Sequence, residues 1–154
     1  MRFARILMLC AAATAALGLL LSLVTASLAP ELHEEFVRGQ PESEKLLAEP
    51  TLLAAAIGLS HWWMGAGLAV MWWFAAPREE PVRTFASMAA MTMGAVALAI
   101  VVVGFGVYAT SGQLVEGLRA AHAALYLVTM VCGLTVAMRI RVRPPNPTAG
   151  GDAP

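Results

Sequence analysis

Charge is what this chain has least of. Only 13% of its 154 residues are Asp, Glu, Lys or Arg, about half the ~25% of an ordinary soluble domain, and ten basic residues balance ten acidic ones. With 59% hydrophobic residues and no basic excess, the composition excludes a disordered chain and a nucleic-acid binder. Cysteine is scarce as well. Cys10 and Cys132 stand alone in apolar runs without a CxxC, which excludes a disulfide scaffold, a zinc ribbon and a dithiol redox pair; both read as small packing residues. Proline and charge are both missing from the interiors of the apolar runs. Pumps and ion-coupled transporters place an ionisable residue near the midplane and interrupt helices there, so these absences speak against a transporter.

What remains is a set of long apolar stretches. Charge is absent over Ile6–Pro30, Thr51–Pro77, Thr84–Val115 and Ala120–Met138, and the mean hydropathy of the chain is +0.72. Crossing a ~30 Å hydrocarbon core takes about 20 residues at ~1.5 Å each, and none of the four stretches carries the polar stripe of a soluble bundle helix. The expectation is an all-α, up-down bundle of four transmembrane helices, a single domain over residues 1–143. Its helices are placed at about 5–29, 51–77, 84–110 and 117–140. An acidic loop spans 30–50, with short helices at Glu31–Val37 and Ser43–Glu49, and residues 144–154 form a Pro/Gly-rich disordered tail. Arg2 and Arg5 followed by a run ending near Ala29 could suggest a signal peptide, but the run exceeds the usual 7–15 residues; an uncleaved anchor is expected.

The charges that are present label an orientation. The N-terminus, loop 78–83 and tail carry Arg2, Arg5, Arg78, Arg83, Arg139, Arg141 and Arg143 against Glu79, Glu80 and Asp152, a net +4. Segments 30–50 and 110–119 carry Arg38, Lys45 and Arg119 against Glu31, Glu34, Glu35, Glu42, Glu44, Glu49 and Glu116, a net −4. By the positive-inside rule both termini are expected in the cytoplasm, the acidic loop outside, and the protein in the cell's inner membrane with the lipid bilayer as its first partner.

Two histidines fall within the apolar runs, where a partnerless imidazole is costly. Helical spacing puts Gly58, His61, Gly65, Leu68 and Trp72 on one face, and Arg119, His122, Tyr126, Thr129 and Gly133 on one face of the last helix. His61 lies 16 residues from Pro77 and His122 lies 17 from Arg139, so both are about 24–26 Å from the inner boundary at ~1.5 Å per residue. Matched depth on two helices suits axial ligation of a b-type haem, each ring's second nitrogen being held by Ser60, Thr110 or a backbone carbonyl. His61 and His122 are the candidate metal ligands. Arg119, which could pair with a propionate or snorkel to headgroups, and Tyr126 join them as cofactor-binding candidates. The alternative is a pair of interhelical hydrogen-bond partners without ligand. Gly65 and Gly133 leave room for a flat macrocycle or for a neighbouring helix. No residue is assigned a catalytic role.

Other residues weigh less. His33, beside Glu34 and Glu35, reads as a solvated loop histidine, with a surface cation site as its other use. Met71, Met88, Met91 and Met93 raise copper as an alternative cofactor, since thioethers suit Cu(I), although methionine also fills cores. Trp72-Trp73 reads as part of an inner aromatic belt, with Trp62-Trp63 deeper. Gly58, Gly65, Gly67, Gly94, Gly104 and Gly106 read as packing positions.

The stretch His61-Trp62-Trp63-Met64-Gly65-Ala66-Gly67-Leu68, closing on Ala75-Ala76-Pro77, resembles a helix of CopD-like copper-resistance membrane proteins and HemJ-type protoporphyrinogen oxidases. Gly104-Phe105-Gly106-Val107-Tyr108-Ala109-Thr110 and a following helix that opens with His122 extend the resemblance over about residues 55–141. It implies His61 and His122 as haem or copper ligands. The oxidase-like pattern has a lysine where Ala123 and Ala124 stand and a basic residue where Trp72 and Trp73 stand, which speaks against the oxidase reaction. Two functions follow: a haem- or metal-binding membrane protein in electron transfer or haem and copper handling, or a non-catalytic accessory subunit or assembly factor of a larger membrane complex.

Overall fold

The computed structural model describes residues 2–38, 49–76 and 82–142. Its helices are α1 (Arg2–Leu28), α2 (Glu31–Val37), α3 (Pro50–Leu59), α4 (Trp62–Ala75), α5 (Val82–Ser111) and α6 (Leu114–Val142). α1, α5, α6 and the composite α3–α4 are each long and apolar enough to cross a membrane. The chain is an all-α bundle of four such spans. Among the expected loop features, Ser43–Lys45 and onward to 48, most of 78–83 and the tail lie outside the described residues.

α1 is the central support, packing along both α3 and α4, while α5 and α6 form a tight hairpin that closes on α1 and α4. The buried face of α1 is Ile6, Cys10, Thr14, Gly18, Ser22 with Leu21 and Thr25. That is a four-residue ridge of mostly small side chains, the kind that seats one helix in the groove of another. Because lipid is as apolar as the helix surface, association inside a bilayer comes from close packing and interhelical hydrogen bonds. Both are present here. A Cβ on Gly65 would collide with the Cys10 carbonyl, and the Gly65 amide donates to Thr14 Oγ1 at 3.1 Å. A Cβ on Gly58 would collide with the Leu19 backbone. Gly65→Val is therefore expected to cost about 1–3 kcal/mol by overpacking, read as a lower melting temperature of the detergent-solubilised protein; an unchanged melt would contradict this contact.

At the hairpin, Gly112 adopts a φ of +69° and its amide caps the Tyr108 carbonyl at 2.8 Å, the left-handed C-terminal stop for which glycine is favoured. Just inside it, Gly104 and Gly117 face one another: a Cβ on Gly117 would lie 2.8 Å from the Gly104 carbonyl oxygen. The other glycines expected to pack, Gly67, Gly94 and Gly106, meet nothing within 4 Å. They lie on faces turned away from the bundle, a distinction that helical spacing does not make by itself.

The core has two parts. One gathers Ile6, Cys10, Leu68, Ala69, Trp72, Phe85, Ala89 and Ala137; the other gathers Leu21, Val96, Ala121 and Leu125. Trp72 is a correction. It does not belong to an interfacial belt: it is 0% exposed, and its indole N–H donates to the Gly133 carbonyl at 3.1 Å. Its face of the span, Gly58, His61, Gly65, Leu68 and Trp72, is buried throughout. Trp73, one residue on, rotates toward the N-terminus, tilting against Phe3 at 5.2 Å between ring centroids and under the Arg2 guanidinium at 5.8 Å.

The second span is not continuous, contrary to the unbroken helix expected over 51–77. It breaks at Ser60 and His61. The cause is local competition for two carbonyls. Ser60 Oγ donates to the Ile57 carbonyl at 2.6 Å, and His61 Nδ1 bonds the Ile57 and Gly58 carbonyls at 2.9 and 3.0 Å. With Ile57 occupied, the His61 amide turns to Gly58 instead, at 3.3 Å, a tightened i−3 turn. Side chains that take the carbonyls of the preceding turn weaken the helical ladder and bend it.

Candidate functional site

His61 sits in this break and is 1% exposed. Three elements hold its ring. The Ile57 and Gly58 carbonyls of α3 fix Nδ1. Gly18 of α1 lies against the ring edge, where a Cβ would come 2.6 Å from His61 Cγ. Tyr126 of α6 stacks on it with centroids 5.3 Å apart, its hydroxyl 3.0 Å from Nε2.

The carbonyls at Nδ1 can only accept. Nδ1 therefore carries the hydrogen in the neutral ring, Nε2 keeps the lone pair, and the Tyr126 hydroxyl donates to it. Tyr126 is half-exposed on its other side and also stacks on Trp63, with centroids 6.4 Å apart. His122 repeats the arrangement one turn before Tyr126. Its Nδ1 lies 3.0 Å from the Leu118 carbonyl, which again leaves the lone pair at Nε2. Tyr126 links the two: it bonds His61 Nε2 and stands one turn beyond His122 on α6. The second-nitrogen partners are thus backbone carbonyls. Ser60 and Thr110, the side-chain options, bond carbonyls of their own helices.

The glycines are filled by helices. Gly65 receives α1, as above, and Gly133 receives Leu68 and Met71. Neither face is left open for a macrocycle. Arg119 is engaged as well. Its guanidinium bonds Glu35 of α2 and Glu116 of its own helix, the latter at 2.8 Å, so it ties α2 to α6. Met91 stands apart from the other methionines: it is 73% exposed, whereas Met71, Met88 and Met93 pack against one core cluster. Among the described residues, no group of three or more His, Cys, Asp and Glu is placed to hold a metal ion.

His33 overturns its expectation. It is not solvated but buried, 5% exposed, and its Nε2 has no hydrogen-bond partner among the described residues. Burial, and after it the nearby His122, pushes its imidazole below the ordinary value of 6.5. The sign follows. The unfolded chain takes up a proton near pH 6.5 while the folded protein resists it, so stability is full above that pH and falls as pH drops below it. The melting temperature in detergent is expected to be lower at pH 5.5 than at pH 7.5, with a smaller difference in His33→Gln; equal slopes in both proteins would count against a neutral buried His33.

Helical spacing puts His61 and Tyr126 each on a defined face of its own helix but carries no sign that the Tyr126 hydroxyl meets His61 Nε2. Compared with protein families, curated proteins and solved structures, the chain shows no match to any of them.

Proposed function

We propose that this multi-pass membrane protein binds a metal cofactor through Nε2 of His61 and Nε2 of His122, and acts in electron transfer or in haem or copper handling. One observation carries the reading: both rings give Nδ1–H to a backbone carbonyl. That is the usual device for fixing an imidazole so that its other nitrogen faces a metal. The resemblance over residues 55–141 implies the same two residues as haem or copper ligands, and their matched depth suits b-type haem. For b-type haem, Tyr126 must swing off Nε2 toward its exposed side and the rings must part to admit the macrocycle. A copper ion likewise requires the Tyr126 hydroxyl to leave Nε2, with no macrocycle to admit. Orientation by the positive-inside rule places the pair in the outer half of the inner membrane.

The test is a reduced-minus-oxidised spectrum and a metal analysis of the protein purified from haem- and copper-replete cells. A bound cofactor is expected, lost in the double variant His61→Ala and His122→Ala; a protein free of both haem and copper would overturn the reading. Tyr126→Phe supplies a finer check. Removing one competing hydrogen bond worth about 0.5–1.5 kcal/mol is expected to tighten metal binding by roughly 2- to 12-fold, measured by competition with a chelator. Weaker binding would mean that the phenol is itself a ligand.

The accessory-subunit reading is favoured by a different observation. α5 buries few of its residues in the bundle, and Gly67, Gly94 and Gly106 face outward with no neighbour, as small residues do where another helix approaches. Purification from native membranes in mild detergent distinguishes it: a stoichiometric partner without any cofactor supports this reading over the first.

A further inference from the structure

One end of the bundle is ringed with arginines. α1 and α5 begin there, α4 and α6 end there, and Ile6, Phe85 and Ala137 share a core cluster just inside. The Arg2 guanidinium lies over the Trp73 and Phe85 rings. Arg5, Arg83, Arg139 and Arg141 are exposed and enter no ion pair among the described residues. Arg119, at the opposite end, is held by two glutamates. Even with Glu79, Glu80 and Asp152 counted, the arginine end keeps a net charge of +4. From Arg5 an open groove of about 610 Å³ follows the outward face of α1, lined by Ala4, Arg5, Met8, Leu9 and Ala12. All five side chains are exposed, and Arg5 is the one polar residue of the lining. Residues 4 to 12 cover about 12 Å of helix at ~1.5 Å per residue. One leaflet, half of a ~30 Å hydrocarbon core, is about 15 Å deep.

We propose that this groove holds one anionic glycerophospholipid, its phosphate on the Arg5 guanidinium and an acyl chain along Met8, Leu9 and Ala12. A guanidinium pairs with phosphate through parallel N–H···O bonds. The aliphatic stem of an arginine lies along apolar surface while its charge stays at the headgroups, which is the posture Arg5 needs at the mouth of the groove. The small side chains of Ala4 and Ala12 leave depth beside the longer Met8 and Leu9 for a chain to follow. Arg83, Arg139 and Arg141 enrich anionic lipid at this end of the bundle. Arg5 is the arginine on the groove itself, so it selects the lipid that stays. A free phosphate would gain nothing from the apolar lining, and a lipid gains from both parts. The site uses neither His61 nor His122 and stands whether or not those residues hold a cofactor.

The full chain, purified in an uncharged maltoside detergent and stripped of lipid, is titrated with phosphatidylglycerol or with phosphatidylcholine of the same acyl chains. Bound lipid is counted by native mass spectrometry. Wild type is expected to bind one phosphatidylglycerol about fivefold more tightly than phosphatidylcholine, the fold-change of one basic residue beside an anionic headgroup. Arg5→Gln is expected to erase that preference. Ala12→Trp fills the groove without touching charge or the packed side of α1, and is expected to weaken both lipids. Arg119→Gln, at the other end, is expected to change neither. Inorganic phosphate at constant ionic strength is expected to leave the lipid in place. Equal affinity of wild type for the two lipids would overturn the proposal and leave the groove to ordinary bilayer lipid. So would a preference that survives Arg5→Gln, binding unmoved by Ala12→Trp, or displacement by inorganic phosphate, which would make this a site for the free anion.

Discussion

Trp72→Ala is expected to give the largest loss of stability of any single replacement in the bundle. Trp72 is fully buried between α1, α4, α5 and α6 in the first core cluster, and its indole N–H is the donor for the Gly133 carbonyl. In soluble cores Trp→Ala costs about 3–5 kcal/mol, part transfer and part cavity. In a bilayer the transfer part fades, because the unpacked helix still faces hydrocarbon. The cavity part and the lost hydrogen bond remain, which leaves roughly 3 kcal/mol. Trp72→Phe keeps most of the volume and gives up the donor, so it is expected to cost about 1 kcal/mol. The two variants separate packing from hydrogen bonding in a single melting series. A Trp72→Ala protein as stable as Trp73→Ala would return Trp72 to the interface.

The second large effect is at His61. His61→Ala removes the ring that fills the space between Gly18 and Tyr126 and leaves the Tyr126 hydroxyl without its partner. It also removes one of the two side-chain competitors for the Ile57 carbonyl. Cofactor binding is expected to disappear, while folding loses only about 1–3 kcal/mol from the void and the unpaired hydroxyl. Native-like helical content without bound cofactor is the expected outcome, measured by circular dichroism and metal analysis on one preparation. A variant that keeps its metal would remove His61 from the ligand set.

Much of this was written in the sequence, and its gaps have physical causes. The four spans are legible because charge is confined to their ends, a constraint the bilayer imposes on every position between. The buried face from Gly58 to Trp72 is legible because 3.6-residue periodicity carries across the break, whose two residues stay in the right-handed helical region. The break itself was obscured. Neither Pro nor charge marks it, and only Ser60 and His61 in succession, both able to reach back to the preceding turn, gave a sign of it. Trp72 and Trp73 are adjacent and chemically identical, so composition could not say which faced the core; their positions on the helix could. His33 was out of reach for another reason. A seven-residue helix rich in glutamate looks solvated, whereas His33 lies with Ala26, at the end of the preceding helix, and with Leu53, on the far side of the acidic loop.

The central claim is that both Nε2 atoms are ligands, and coordination spectroscopy tests it most directly. The purified protein, loaded with Cu²⁺ or carrying its own ferric haem, is examined by pulsed electron paramagnetic resonance. Two coordinated imidazoles are predicted, falling to one in His61→Gln and to one in His122→Gln. A metal centre without imidazole nitrogen, or one whose nitrogen count is unmoved by either replacement, would contradict it.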